Sequence, residues 1–448
     1  MQGRRRTPVT AASGGSQNSP KPTTTAPSLS AYRFATYDDL QHNSLPRLAF
    51  EMDEYSHGMV KYLFTNWIPS LYPQKLATVH HHRLFEMVYT DSITCAIFLT
   101  YGFSQSAFEL VEINCQQKSL TSGDGSRKRY LFRSKEACLR MMREMFTTSW
   151  PMSARRLFFA SVSLSGCAFI VNNPEEGRMH LQGAVNIAEA IGGFRNLGEL
   201  ELEASLLWDV HLASLTGQKP VISGIEVSHI AQTLLPQVPE WLVDSGLRFS
   251  ALFEPSLSSD DKSDVCGALR GLFYAAELIN ADSTQSEDRI NETLIIRTLV
   301  AGHQLSRCAP TTNSTDVAPE HNICTLESLR LAGMLAIFTT HLKATRKIHL
   351  FEKVSRDLEV LLRRSDVETC WRQYPEIMMW IFFAGAHGSP NVYRTQWFIQ
   401  NISRGAHSLG IDDWHQARMV LRKFPYIVKE FDKPFEDMWN SSQPGFMI

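Results

Sequence analysis

Asp260, Asp261 and Asp264 spell DDxxD. Carboxylates at this spacing can share one helix face, where they could hold magnesium and, through it, a diphosphate. The surrounding segment, SLSSDDKSD, is polar and precedes an apolar helical pattern instead of ending one. No second Asn/Asp-x-x-Ser-x-x-x-Glu motif accompanies it. The competing reading is a solvated loop and N-cap, with acidic groups favouring the start of the following helix. His303, Cys308, His321 and Cys324 form H-x4-C-x12-H-x2-C, the spacing of a zinc finger read backwards. The polar stretch APTTNSTDVAPEHN lies between the two cysteines and holds no finger core, so the four also read as two helix ends with incidental ligands. His80, His81 and His82 sit at a helix start. Neighbours on a helix point in different directions, which makes them a polar turn and not a joint metal site.

The eight cysteines are Cys95, Cys115, Cys138, Cys167, Cys266, Cys308, Cys324 and Cys370, and no CxxC pair occurs. Most lie in apolar helical stretches and read as small core residues. A disulfide framework is not expected in a large intracellular chain. There is no GxSxG, P-loop, HExxH or kinase motif set. The expectation is a protein that is not an enzyme, with no catalytic, metal or cofactor-binding residue and no cofactor. DNA-binding residues are left unassigned.

The elements that would position any such group are helical. The chain has 448 residues, 44% hydrophobic and 20% charged, with a net charge of −2, so no overall basic field draws it to nucleic acid or anionic lipid. The longest apolar run, Ile377 to Ala386, falls short of the ~18 residues that span a bilayer. Residues 1–30 are rich in Ser, Thr, Pro and Gly and are expected to be a disordered tail, with Arg4, Arg5 and Arg6 as a solubilising run or, functionally, a phosphate contact or nuclear-import fragment. Residues 31–448 are expected to form one all-α domain. Helical periodicity begins near Leu48, and no strand–glycine loop–helix unit argues for a nucleotide-binding sheet. Pro220, Pro236, Pro239 and Pro255 mark a breaker-rich interval between helices predicted at 200–216 and 264–281. A helix over 368–386 restarts at Pro375, and a short last one covers 434–440.

The most informative stretch runs from Asn173 to Pro220. Asn173 is a good N-cap, Pro174 suits the first helical position, and Glu175 and Glu176 fall in the first turn. Leu181, Ala184, Val185, Ala188 and Ile191 repeat along one buried face, and Gly192 and Gly193 then end the helix left-handed. The second helix is apolar on most sides (Leu202, Leu206, Leu207, Trp208, Val210, Leu212, Ala213, Leu215) and needs neighbours all round. Gly217 and Pro220 close it.

The order and spacing of His180, Leu181, Gly183, Gly192, Gly193, Leu197, Gly198, Leu206, Leu207, Asp209, Thr216, Gly217 and Pro220 resemble the fungal-specific transcription factor domain. That domain is the helical regulatory region downstream of the zinc cluster in fungal regulators. Val221 and Ile222 depart from the basic or aromatic pair that often follows the proline. The resemblance continues through Met379 to Ala386, Trp397-Phe398, Leu409-Gly410-Ile411, Trp414, Val420-Leu421 and Phe424, and so covers roughly residues 50–440. It implies a nuclear transcription regulator, often of metabolic or secondary-metabolite genes, working with DNA through a zinc-cluster module. No such cysteine cluster is present in this sequence. DNA contact would therefore come from a DNA-binding partner protein or from a missing module. A small-molecule effector and a homo- or heterodimer are the other partners implied, and no membrane is expected. The alternatives are a helical interaction scaffold without a transcriptional role and, on DDxxD, an all-α enzyme similar to terpene synthases.

Overall fold

The computed structural model describes residues 53–443, apart from 65–83, 85–86, 89–90, 117–123, 236, 253–260, 282–286, 309–320, 342–348, 365–370 and 372–373. The 1–30 tail, Arg4 to Arg6, the boundary at 31 and the His80 to His82 run lie outside the described residues.

Among the described residues there are sixteen α-helices, one short 3-10 turn and no strand. The helices are α1 (Glu54–Tyr62), α2 (Ser92–Gln116), α3 (Asp124–Thr148), α4 (Ala154–Ile170), α5 (Pro174–Ala190) and α6 (Glu199–Thr216). They continue with α7 (Gly224–Leu234), α8 (Glu240–Ala251), α9 (Asp261–Ala281), α10 (Glu287–Arg307) and α11 (His321–His341). The last are α12 (His349–Arg364), α13 (Pro375–Gly388), α14 (Val392–Leu409), α15 (Trp414–Leu421) and α16 (Val428–Ser442). All belong to one unit that extends from Pro46 to Ile448.

Side-chain caps set several of the helix starts. Asp53, Asn173, Ser223, Asn391 and Asp413 each accept a hydrogen bond from the backbone N–H three residues on. Each satisfies an amide that the helix leaves unpaired. Pro174 and Pro375 stand at the first position of α5 and α13, where no N–H is required. Gly192 and Gly193, at φ +94° and +99°, end α5 as their sequence predicts.

Successive helices pack as pairs: α2 with α3, α4 with α5, α9 with α10, α11 with α12 and α13 with α14. Three of these pairs meet around α6, which touches α4 and α5, α10 and α12. Leu202, Leu206, Val210 and Leu212 of α6 are buried, in accord with its all-round apolar sequence. A separate small core joins Val60, Leu63 and Phe64 at α1 to Cys95, Phe98, Leu99 and Phe103 of α2.

The interval from Pro220 to Pro255 is not empty. It carries α7, started by Ser223 with Glu226 in the first turn, and α8, started at Pro239. Val227, Ile230, Leu242 and Phe249 anchor these short helices to the main core. The last helix also begins earlier than its sequence suggests, at Val428, and carries Pro434 inside. Phe431, Phe435 and Trp439 are buried on one face, and this burial outweighs the missing hydrogen bond.

Arg394 joins α14 to α12 through a buried guanidinium. It forks onto both oxygens of Glu352 at 2.8 and 2.9 Å, reaches Glu359 at 2.9 Å and Ser355 at 3.2 Å. The hydrogen bonds from Arg394 hold the Glu352 carboxyl below its ordinary value. Arg394→Ala is expected to lower stability by about 3 kcal/mol, measured by urea unfolding, because it leaves two carboxylates without their shared cation. The difference between wild type and variant should be full above pH 4.5, the ordinary value for Glu352, and shrink as pH falls through its lowered folded value.

Candidate functional site

The turn that follows α6 is organised by one carboxylate. Gly217 adopts φ +70° and donates to the Ala213 carbonyl at 2.8 Å, which stops the helix and sends the chain back along it. Thr216 Oγ donates to the Leu212 carbonyl, and Arg178 of α5 reaches the Lys219 carbonyl. The returning segment then passes Asp209, which lies two turns back in α6 and is completely buried. Val221 N–H donates to Asp209 Oδ1 at 2.7 Å and Ile222 N–H to Oδ2 at 2.8 Å. The contact uses backbone amides, so it does not depend on the side chains of Val221 and Ile222.

His303 of α10 closes the other side. Its Nε2–H donates to the Ile222 carbonyl at 3.0 Å and lies 3.7 Å from Asp209 Oδ2, too far for a hydrogen bond. This fixes the neutral tautomer with its lone pair on Nδ1, a buried atom without a partner. Burial pushes the Asp209 carboxyl up from 3.8 to about 7, against the pull of the two backbone amides and Arg178. Burial also pulls His303 down from 6.5 to about 4.

The hairpin is tied to its neighbours at its first turn. His180 bonds to Glu176 at 3.2 Å, Ser161 Oγ of α4 donates to the His180 carbonyl at 2.6 Å, and Lys135 of α3 pairs with Glu176. Of the residues that carry the resemblance, His180 thus holds the start of the unit and Asp209 with Gly217 holds its end.

A cleft of about 290 Å³ opens between α1, α2 and α3. Leu99 and Phe103 are its buried apolar floor, and Tyr130 stands 5.4 Å from the Phe103 ring. Tyr130 Oη donates to Asp53 at 2.6 Å. Burial opposes the Asp53 charge, yet hydrogen bonds from Tyr130 and Ser56 hold its carboxyl below the ordinary value. Arg133 and Arg140, two turns apart on α3, stand at the edge with Ser134 and Glu136. The floor suits the aromatic or aliphatic body of a small ligand, and Arg133 and Arg140 suit an anionic end placed clear of the Asp53 and Glu136 carboxylates that share the lining. No sequence motif points to this cleft, because its residues come from three helices; Tyr130, Arg133, Ala137 and Arg140 share one face of α3, but nothing in the sequence places Asp53 or Phe103 opposite them.

The residues weighed for metal chemistry are dispersed. Asp261 is the first residue of α9 and Asp264 is exposed in its first turn, while Asp260 and the Asp261 side chain are outside the described residues. His303 faces the turn after α6, whereas Cys324 is directed at the Leu361 carbonyl of α12. Among the described residues no three His, Cys, Asp or Glu side chains converge as a metal site. Burial raises the thiols of Cys95 and Cys138 to about 12 and that of Cys167 well above its ordinary value, which suits core residues and not nucleophiles. Among the described residues no helix is long and apolar enough to cross a membrane. No family model, curated protein or solved structure matches the chain.

Asp209 and His303 should give stability opposite pH slopes. The Asp209 contribution is complete below pH 3.8 and is lost as pH rises to about 7. The His303 contribution is present above pH 6.5 and is lost as pH falls to about 4. In Asp209→Asn, which also costs about 1–3 kcal/mol by turning an amide toward an amide, urea midpoints should climb between pH 4 and 6.5. In His303→Gln they should decline over the same range.

The cleft yields a second expectation. Phenylbutyrate should raise the melting temperature of wild type in thermal-shift titration, while the matching amine should not. Arg133→Ala with Arg140→Ala should remove the effect.

Proposed function

We propose that the protein is a non-catalytic transcription regulator of the fungal type, acting in the nucleus on a metabolic or secondary-metabolite gene set. The observation that carries this reading is the way the residues of the resemblance fold as a single unit from Asn173 to Ile222, held at one end through His180 and Glu176 and at the other by Asp209. DNA contact comes from a zinc-cluster module, carried by a partner protein or by a module missing from this sequence, which holds no such cluster.

The cleft between α1, α2 and α3 supplies the effector site. A ligand shifts a protein between two states only to the extent that it binds them unequally. Arg133 and Arg140 sit on the same helix as Lys135, which pairs with Glu176 of α5. An anion drawn to the two arginines therefore acts on the helix that buttresses the hairpin. The scaffold reading is favoured by a different observation, the exposed apolar residues on α3, and calls for partner binding without transcriptional effect.

Deleting the gene and comparing transcripts genome-wide, with the tagged protein imaged in parallel, tests this reading. A coordinated change in one gene set and nuclear fluorescence are expected. Unchanged transcripts with exclusion from the nucleus would sink the regulator and leave the scaffold. Accumulation of one metabolite with unchanged transcripts would instead turn attention to catalysis.

A further inference from the structure

Helix α3 has two apolar faces. One is used: Ser134 and Cys138 are buried, and Met141 and Met145 pack on the main core. The other lies open. Phe132 is 66% exposed, Leu139 41% and Phe146 57%, and they follow one another at intervals of seven residues. Trp150, one turn beyond, sets its ring 5.3 Å from Phe146. Such spacing keeps the three side chains in single file along the helix over about 21 Å, a stripe against which a second helix can lie at a shallow angle.

Charge selects among occupants. Arg129, Arg133, Arg140 and Arg143 are all exposed along this face, against Glu136 and Glu144. A second copy of α3 would bring four arginines near four arginines across the seam. A helix with acidic flanks would meet them with opposite charge. A bilayer surface takes basic and aromatic side chains at any helical spacing, so the seven-residue period is the feature that a partner helix uses and a membrane does not require.

We propose that the exposed face of α3 docks an acidic amphipathic helix of a partner protein, with apolar residues at heptad spacing and carboxylates on its flanks. The partner need not be helical beforehand, because a segment of about three heptads gains its order on the seam. This inference stands apart from the regulatory reading, since an interaction scaffold would use the same face.

The test is fluorescence anisotropy of the full chain with a labelled synthetic peptide of about three heptads, leucine at the seam and glutamate on its flanks. Saturable binding is expected, at least about tenfold tighter than for the same peptide with lysine in place of glutamate. Leu139→Ser with Phe146→Ser should weaken it by about tenfold or more, with an unchanged circular dichroism melt because both side chains are exposed. Arg129→Glu with Arg143→Glu should invert the preference toward the lysine peptide. Absence of binding, equal affinity for both peptides, or indifference to these substitutions would overturn the proposal. So would a wild-type dimer in sedimentation that the serine pair abolishes, which gives the face to a second copy. Co-flotation with phosphatidylserine vesicles without peptide selectivity would assign it to a membrane and overturn it equally.

Discussion

A buried carboxylate must be given hydrogen bonds, and Asp209 meets that demand by folding its own chain back. Val221 and Ile222 donate to its two oxygens, and the Ile222 carbonyl is then taken by His303. Three elements that no local rule would bring together are thereby placed: the end of α6, the returning turn and α10. An unpaired carboxylate at full burial is among the most costly defects a core can hold, so alternatives that release these amides are disfavoured strongly. Helix α6 is surrounded by α4, α5, α10 and α12, and a shift of the turn would be felt by all of them.

What could be read in the sequence was the part governed by short-range chemistry. Asn173, Pro174, Glu175, the apolar run from Leu181 to Ala188 and the two glycines each carry their meaning within a few residues, and the hairpin follows them. Helices α7 and α8 were harder because their stabilisation is tertiary: Val227, Ile230, Leu242 and Phe249 need a core supplied by other segments. The four prolines of that interval signal boundaries, and the helices simply fit between them. Ser223 followed by Glu226 was the local hint. Pro434 misled in the opposite direction, because burial of three aromatic rings overrides one missing amide. The cleft was invisible for a different reason, since Asp53, Phe103, Tyr130 and Arg140 meet only after α1, α2 and α3 have packed.

The two candidate surfaces share α3. Its arginines face a cleft on one side and border an apolar seam on another, while Lys135 anchors the helix to Glu176. One rod thus carries a binding cleft, an open face and a tie to the hairpin. Any change in its position alters all three together, and the i to i+7 geometry of a rigid helix transmits such a change without a separate linking element.

The C-terminal segment has a consequence for how the chain is made. Asn280 of α9 donates to the Tyr426 carbonyl and accepts from Val428 N–H, so the last helix is fastened by a residue synthesised far earlier. Trp380 and Phe383, in the most apolar helix among the described residues, find their partners in Phe424 and Phe435. During translation those rings emerge before their cover exists. The nascent protein therefore presents a greasy surface until the segment from Phe424 to Phe435 has been made, an interval in which a chaperone has a natural foothold and a stop before that segment would leave a sticky, unfinished body.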